Sequence, residues 1–173
     1  MTVEIMDAKK VSLSDKEIRE VAAIMVHPGI MRWDIDYRSH TTDVQKLLPK
    51  LREFFKRTPD DEDQLCLVAE SEGNVAGFLG IHRFGGSKPH VGDVGIMVHP
   101  DCQRKGIGTK LLKAGIELAR DKGLKRLEAD TLLANKAMRR TAEKAGFQLE
   151  GIRRKAIDMH GRLMDEALYS LLL

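Results

Sequence analysis

His90–Gly123, HVGDVGIMVHPDCQRKGIGTKLLKAGIELARDKG, is the stretch whose reading decides the fold. Val91 to Val98 is short, apolar and rich in β-branched residues, which predicts a strand. Pro100 and Asp101 end it. Gln103-Arg104-Lys105-Gly106-Ile107-Gly108 follows, and an amphipathic helix runs from there to Gly123. A strand, a basic glycine-bearing turn and a helix make an anion-binding device. The first turn of a helix carries unpaired amide N–H groups and the positive end of the macrodipole. Glycine lets that backbone come close to a phosphate.

The chain around this stretch has 173 residues, a length that fits one domain with a real core. No run of about 18 apolar residues predicts a membrane span. The opening MTVEIMDAKK has no apolar signal core. Cys66 and Cys102 form neither a disulfide framework nor a metal spacing, so no metal is expected and the composition fits a cytoplasmic protein. Charge is uneven. Residues 101–173 hold 16 Lys+Arg against 10 Asp+Glu, while residues 1–100 hold 13 against 16. A basic C-terminal half suits nucleic acid or a polyphosphate cofactor. Aromatics are only 5% and alternate with no basic run, which argues against single-stranded nucleic acid.

Taken in order, Thr2–Met6 predicts a strand, and Ser14-Asp15-Lys16-Glu17 a capping box with Leu13 and Ile18 as its staple. The helix should run to about Val26, with Ile18, Val21, Ala22 and Met25 inward. His27-Pro28-Gly29 breaks it, and residues 30–40 are irregular. Thr42-Asp43-Val44-Gln45 is a second candidate capping box for a helix to about Arg57, which Pro49 should kink or begin. Pro59–Asp63 is an acidic connector. Gln64–Glu70 and Val75–Phe84 are strands about the turn Ser71–Asn74, and Gly85–Pro89 turns into the strand quoted first. Gly123-Leu124 and Gly146-Phe147 carry a Schellman signature. Between them lie the strand Lys125–Thr131, parallel to Val91–Val98, and a helix from Asn135 to Ala145. Gln148–Arg154 and Ala156–Leu172 are the last two strands, with His160-Gly161-Arg162 as the turn inside the pair. The order is β-α-α-β-β-β-α-β-α-β-β, an α/β (α+β) mixed sheet with helices on both faces.

Two phosphate-loop motifs are excluded. A P-loop needs Gly-Lys-Ser/Thr, whereas Gly108 precedes Thr109 and Lys110. A dinucleotide fingerprint needs a third glycine where Leu111 stands. What remains is Gln-x-x-Gly-x-Gly between a strand and a helix. Val94–Gly108 (VGIMVHPDCQRKGIG) resembles the coenzyme-A-binding motif of the GNAT acyltransferase superfamily. Asn135–Phe147 (NKAMRRTAEKAGF) resembles its second cofactor segment. The tail Glu150-Gly151…Arg153…Asp158…Gly161…Asp165…Tyr169 is similar to the branch of ribosomal-protein N-terminal, polyamine and some aminoglycoside acetyltransferases. The resemblance covers residues 64–173 and implies one acetyltransferase domain over 1–173, with 1–63 on the acceptor side. It implies a splayed central sheet and acetyl-CoA as co-substrate. Amides from Arg104 to Thr109 (Arg104, Lys105, Gly106, Ile107, Gly108, Thr109) would cradle its pyrophosphate, after Gln103. Arg139 or Arg140 would stand near the adenosine end. Ile96, Met97 and Val98 would meet the pantetheine arm by their backbone, one N–H polarising the thioester carbonyl. Asn135 would bind the same arm, unless it is a plain N-cap.

The resemblance also sets the acid–base question. Many relatives place a carboxylate where Asp93 stands, so Asp93 is the candidate general base; the other reading is a solvated strand-end carboxylate. His90 and His99 are further candidates, against solvated histidines near turns. The usual acid, a Tyr seven residues after the Asn, is here Ala142. Water or Tyr169 would take its place, or no dedicated acid is needed, since a thiol pKa of roughly 8.5 makes acid help minor near neutrality. Deprotonating a lysine-like amine at pH 7 costs about 4.6 kcal/mol, an α-amine about 1.4 kcal/mol or less. Cys102 lacks the His–Asp support of an acylated nucleophile. Trp33 and Tyr37 either line the acceptor site or pin a loop to the core. The leading expectation is an N-acetyltransferase acting by direct transfer on a small amine, polyamine or protein N-terminus. A non-catalytic coenzyme A or acyl-CoA-binding module and a nucleic-acid binder are the alternatives. No nucleic-acid or membrane partner is expected. Oligomeric state stays open, although the family often pairs through its C-terminal strands, which would make a homodimer.

Overall fold

A computed structural model describes residues 2–8, 10–35, 41–57, 61 and 63–173. Tyr37 and part of the acidic connector lie outside them. The elements are β1 (Val3–Asp7), α1 (Asp15–Met25), α2 (Pro28–Met31), α3 (Val44–Arg57), β2 (Gln64–Ser71), β3 (Asn74–Arg83), β4 (Val91–Val98), α4 (Ile107–Asp121), β5 (Arg126–Leu132), α5 (Lys136–Ala145), β6 (Gln148–Met159) and β7 (Arg162–Leu172). One seven-stranded sheet runs β1-β2-β3-β4-β5-β7-β6. Every pairing is antiparallel except β4 with β5. The expected mixed sheet is present.

Period-two alternation divides two cores. Leu65, Leu67 and Ala69 of β2 pack with Leu111, Leu112 and Ile116 of α4 and Ala142 of α5. Cys66 and Val68 turn the other way, to Val21 and Ile24 of α1 and Leu47, Leu48 and Leu51 of α3. The helices therefore cover both faces. Leu111 and Leu112 are fully buried, each contributing about 2 kcal/mol of transfer free energy.

The chain ends its helices where local chemistry says it should. Ser14 accepts from the Glu17 amide at 3.3 Å, and its own amide donates to Glu17 at 2.6 Å, closing the capping box. Arg19 and Arg52 both bond Asp15, tying α1 to α3 and lowering the Asp15 carboxyl from its usual range. At the end of α4, Gly123 has φ +77° and the Leu124 amide reaches Ala119 O at 3.0 Å. At the end of α5, Gly146 has φ +103° and the Phe147 amide reaches Ala142 O at 3.0 Å. Both Schellman ends bury the following apolar residue, Leu124 or Phe147.

Several boundaries differ from expectation. Ile24, not Met25, is the fully buried residue near the end of α1. α1 ends at Met25 with Val26 as its cap, and His27 then caps the one-turn α2, its Nδ1 accepting from the Gly29 amide at 3.0 Å. The second capping box is out of frame: Asp43, not Thr42, accepts from the Gln45 amide at 2.9 Å. Pro49 lies inside α3 and is not its start. The hairpin turns are two residues long, Glu72-Gly73 and His160-Gly161, all with positive φ, the type I′ geometry that matches strand twist. β6 consequently continues past Arg154 to Met159, with Lys155 at φ +52° in an irregular stretch of the ladder.

Gly77 of β3 sets how closely β4 approaches. A Cβ there would stand 2.7 Å from the Met97 carbonyl oxygen. Backbone cannot yield as a side chain can, so Gly77→Ala should lower stability by about 1–3 kcal/mol in urea unfolding. Gly80→Ala, whose Cβ meets nothing within 4 Å, should not share that steric loss.

Candidate functional site

The parallel ladder between β4 and β5 is only three rungs long: Val91–Arg126, Gly92–Leu127 and Asp93–Glu128. Both strands continue, β4 to Val98 and β5 to Leu132. The two strands therefore part above Asp93. β3 still pairs the other edge of β4 as far as Val98, so the edge of residues 94–98 that faces β5 lies outside any ladder. This is the splay the resemblance implied, and it comprises Ile96, Met97 and Val98.

The loop above the splay is built by its own contacts. His99 Nδ1 accepts from the Asp101 amide at 3.3 Å, starting the 3-10 turn Pro100–Cys102. Gln103 Nε2 donates to Val98 O at 3.0 Å, latching the loop to the end of β4. Arg104 and Gly106 take positive φ, +61° and +81°. Gly106 caps α4 without a side chain, and a Cβ there would meet open space. Arg104, Lys105 and Gly106 are exposed, whereas Ile107 is buried and can offer a ligand only backbone. Gly108 brings α4 against the other two walls: a Cβ there would lie 3.3 Å from both Ile96 and Thr141. An open cradle with two exposed cations, a left-handed glycine and a helix N-terminus suits a polyphosphate. Three of the expected cofactor residues also make contacts within the protein. Gln103 is a latch. Asn135 caps α5, accepting from the Met138 amide at 3.1 Å. Arg139 turns inward to Tyr169 Oη (3.1 Å) and Leu133 O (3.3 Å), while Arg140 beside it is exposed.

Odd and even residues of β4 face opposite ways. Ile96 and Val98 join the α4 core, and Met97 the α1–α3 core. Asp93 shares the Met97 side. There a cavity of about 560 Å³ is bordered by Asp93, Arg126, Glu128, Asp130 and Glu150, together with Lys88 and Phe84. Arg126 donates from Nε to Glu128 at 2.9 Å and from both terminal nitrogens to Glu150 at 2.9 and 2.5 Å. Ser170 Oγ adds a bond to Glu150 at 2.6 Å. Arg126 first, then Ser170, hold the Glu150 carboxyl down to about 2; Glu150 first, then Glu128, raise the Arg126 guanidinium further. Tyr169 borders the same cavity, yet its hydroxyl accepts from Arg139 and donates to Glu143 at 2.9 Å on the α5 side. The structure thus does not aim it at Asp93. Trp33 is not among the bordering residues, and its face carries the Arg32 guanidinium at 5.1 Å. His99 pairs edge-on with His27 at 5.7 Å. Cys66 is buried, which pushes its thiol up to about 12. Among the described residues no cluster suits a metal ion, and no helix is long and apolar enough to cross a membrane.

The family model "Acetyltransferase (GNAT) family" matches residues 18–147, well over half of the chain. The chain belongs to the GNAT acetyltransferase family. It is 29% identical over 153 residues to YwnH, a candidate phosphinothricin acetyltransferase of Bacillus subtilis (strain 168), covering 86% of this chain and 91% of that one. Its fold matches a GNAT phosphinothricin acetyltransferase of Sinorhizobium meliloti in complex with acetyl-CoA, with TM-score 0.81, 20% identity and coverage of 100% and 89%. It equally matches a ribosomal-protein-alanine N-acetyltransferase of Brucella melitensis, with TM-score 0.79, 22% identity and coverage of 98% and 99%. Those two likenesses concern the fold of this GNAT chain.

Arg126, Glu128 and Asp130 belong to no motif in the sequence. Their signal was the alternation Arg126-Leu127-Glu128-Ala129-Asp130, which marks a strand with one polar face but says nothing of a shared cavity. Because Glu150 has a lowered folded value, its contribution is complete above the unfolded carboxylate range and fades as pH falls from about 4.5 toward 2. Thermal melts between pH 6 and 2 should therefore fall less steeply for Glu150→Gln than for the unmodified chain, although the variant is less stable at pH 6.

Proposed function

We propose that this chain transfers an acetyl group from acetyl-CoA to a primary amine of a small molecule, a polyamine or a protein N-terminus, by direct transfer in a ternary complex. One observation carries the reading: the β4–β5 ladder stops at Asp93, leaving an unpaired strand edge between the α4 cradle and a carboxylate-lined cavity. The splay joins the two faces of the sheet. The phosphates would lie at the amides of Arg104 to Thr109, with Lys105 and Arg140 as nearby cations. The Nδ2 group of Asn135 remains as a donor for the pantetheine arm. Acetyl-CoA, when bound, supplies an activated thioester carbonyl. A backbone N–H among Ile96, Met97 and Val98 would donate to its oxygen.

In this reading the acceptor enters from the cavity side, toward residues 1–63. Asp93 takes its proton through a water. The amine nitrogen then forms the new C–N bond as the C–S bond breaks, and the nitrogen's second proton passes through water to the departing thiolate. YwnH bears the name of an acetyltransferase for phosphinothricin, an amino-acid-like amine, so such amines belong in the acceptor panel with polyamines and peptide N-termini. The cytoplasmic setting and a homodimer through β6 and β7 stay part of the reading; the exposed Leu149, Ile152 and Leu163 offer the apolar surface for the latter. The buried Ala142, which brings no hydroxyl to α5, favours the second reading, a binding module without turnover. Thiol release across the amine panel decides between them.

Gly106→Asp puts a carboxylate and an unfavourable φ into the cradle. Coenzyme A affinity measured by calorimetry should fall at least ten-fold, since one like charge near the phosphates is worth about 1.4 kcal/mol or more. Gly123→Asp imposes similar strain at the far end of α4 and should leave affinity unchanged. Equal losses in both variants would refute the cradle.

A further inference from the structure

The β4–β5 ladder ends on two carboxylates. Asp93 and Glu128 are partners in its last rung, so their side chains leave one face of the sheet about 4.8 Å apart at the backbone. Both border the cavity. Glu128 also accepts from Arg126 Nε at 2.9 Å, and that same guanidinium is shared with Glu150 through two bonds. One arginine therefore serves two carboxylates. The Arg126 and Glu128 side chains are 24% and 31% exposed, open enough for Glu128 to meet a ligand. The charged and titratable groups around Asp93 come from four strands and a loop. They are Arg126, Glu128 and Asp130 on β5, Glu150 and Arg153 on β6, Tyr169 on β7 with its hydroxyl bonded toward α5, Lys88 before β4, and His82 opposite Asp93 on β3. None of the described residues of α1, α2 or α3 borders the cavity.

We propose that Glu128 is a second acceptor-binding carboxylate, and that Arg126 is the positioning residue that decides how strongly its charge acts on Asp93. The proposal rests on the acetyltransferase reading with Asp93 as the proton acceptor. It selects a class of acceptor: an amine with net positive charge, held as its ammonium between two neighbouring carboxylates. One proton passes from that ammonium to Asp93 and on to solvent, while Glu128 keeps its bond from Arg126. An anionic group on the acceptor meets repulsion at the same place.

A matched pair of acceptors tests this, 1,3-diaminopropane and β-alanine, which differ in an ammonium against a carboxylate. With the full chain and acetyl-CoA, the diamine should have the higher kcat/KM. Glu128→Gln should raise the diamine KM about five-fold, leave the KM for acetyl-CoA unchanged, and narrow the preference over β-alanine. Glu128→Asp should recover most of the loss. A unit charge about 6 Å away in a water-like medium is worth about half a pH unit. The acid limb of kcat/KM should therefore move lower by that amount in Glu128→Gln and higher in Arg126→Gln, opposite shifts that a merely structural role would not produce. Preference for β-alanine, turnover of neither amine, or limbs that stay put in both variants would overturn the proposal. Asp93→Asn separates the two levels. If it keeps the acid limb, the proton-acceptor reading itself fails. If it abolishes the limb while Glu128→Gln leaves the limb in place, only the present proposal fails.

Discussion

Three rungs of parallel pairing hold this molecule's site open. A parallel pair needs a crossover, and α4 supplies it between β4 and β5. The Schellman turn at Gly123 and Leu124 delivers the chain back beside the start of β4, where the His90 carbonyl accepts from the amides of Lys125 (2.8 Å) and Arg126 (3.2 Å). Pairing begins there and stops at Asp93 and Glu128. Were the ladder to continue, the β5-facing groups of residues 94–98 would be satisfied within the sheet, and nothing would remain for a ligand. An unpaired strand edge carries a cost. The fold meets part of it locally, since Gln103 donates to Val98 O. Close packing at Gly108, against Ile96 and Thr141, sets α4 and α5 beside the opening.

The register makes a second consequence of the same ladder. At the level of Asp93 the paired positions across six strands are Gln64, His82, Asp93, Glu128, Ser170 and Gln148. Every one is polar, and paired residues share a face. The cores on either side are apolar, so this row lies where α1 and α3 do not cover the sheet. Charge there is organised around Arg126, whose planar fork suits two carboxylates better than an ammonium would.

What the sequence told in advance was whatever local chemistry dictates. The capping box at Ser14 and Glu17, both Schellman ends, the strand–turn–helix and the element order could be read because each depends on residues a few positions apart. Asp43 displaced Thr42 as a cap because both are good caps in adjacent frames, and spacing alone does not choose. α2 escaped because His27, read only as part of a breaker, uses its ring nitrogen as the cap. The contacts at the site are of another kind. Arg139 faces Tyr169 thirty residues away, Arg126 faces Glu150 across two strands, and Gln103 folds back on Val98. Only the assembled sheet decides such contacts, and composition cannot foretell them.

The same reasoning accounts for the residue missing from α5. Ala142 is buried under the helix, and the Phe147 amide bonds its carbonyl. On the sheet beneath, Tyr169 sends its hydroxyl to Arg139 and Glu143, residues that bracket position 142. A phenol from β7 therefore braces the helix at the level where a tyrosine from α5 would stand. Its proton is donated to Glu143, and Tyr169 raises the Arg139 guanidinium in return. A hydroxyl so engaged is a brace rather than an acid. Little is lost by that in the proposed reaction, because a thiolate whose conjugate acid has a pKa near 8.5 needs only water to be protonated near neutrality. The demanding proton of that proposed reaction is the one on the amine, and the charges of this site are gathered on the Asp93 face of the sheet, where the proposal has it leave.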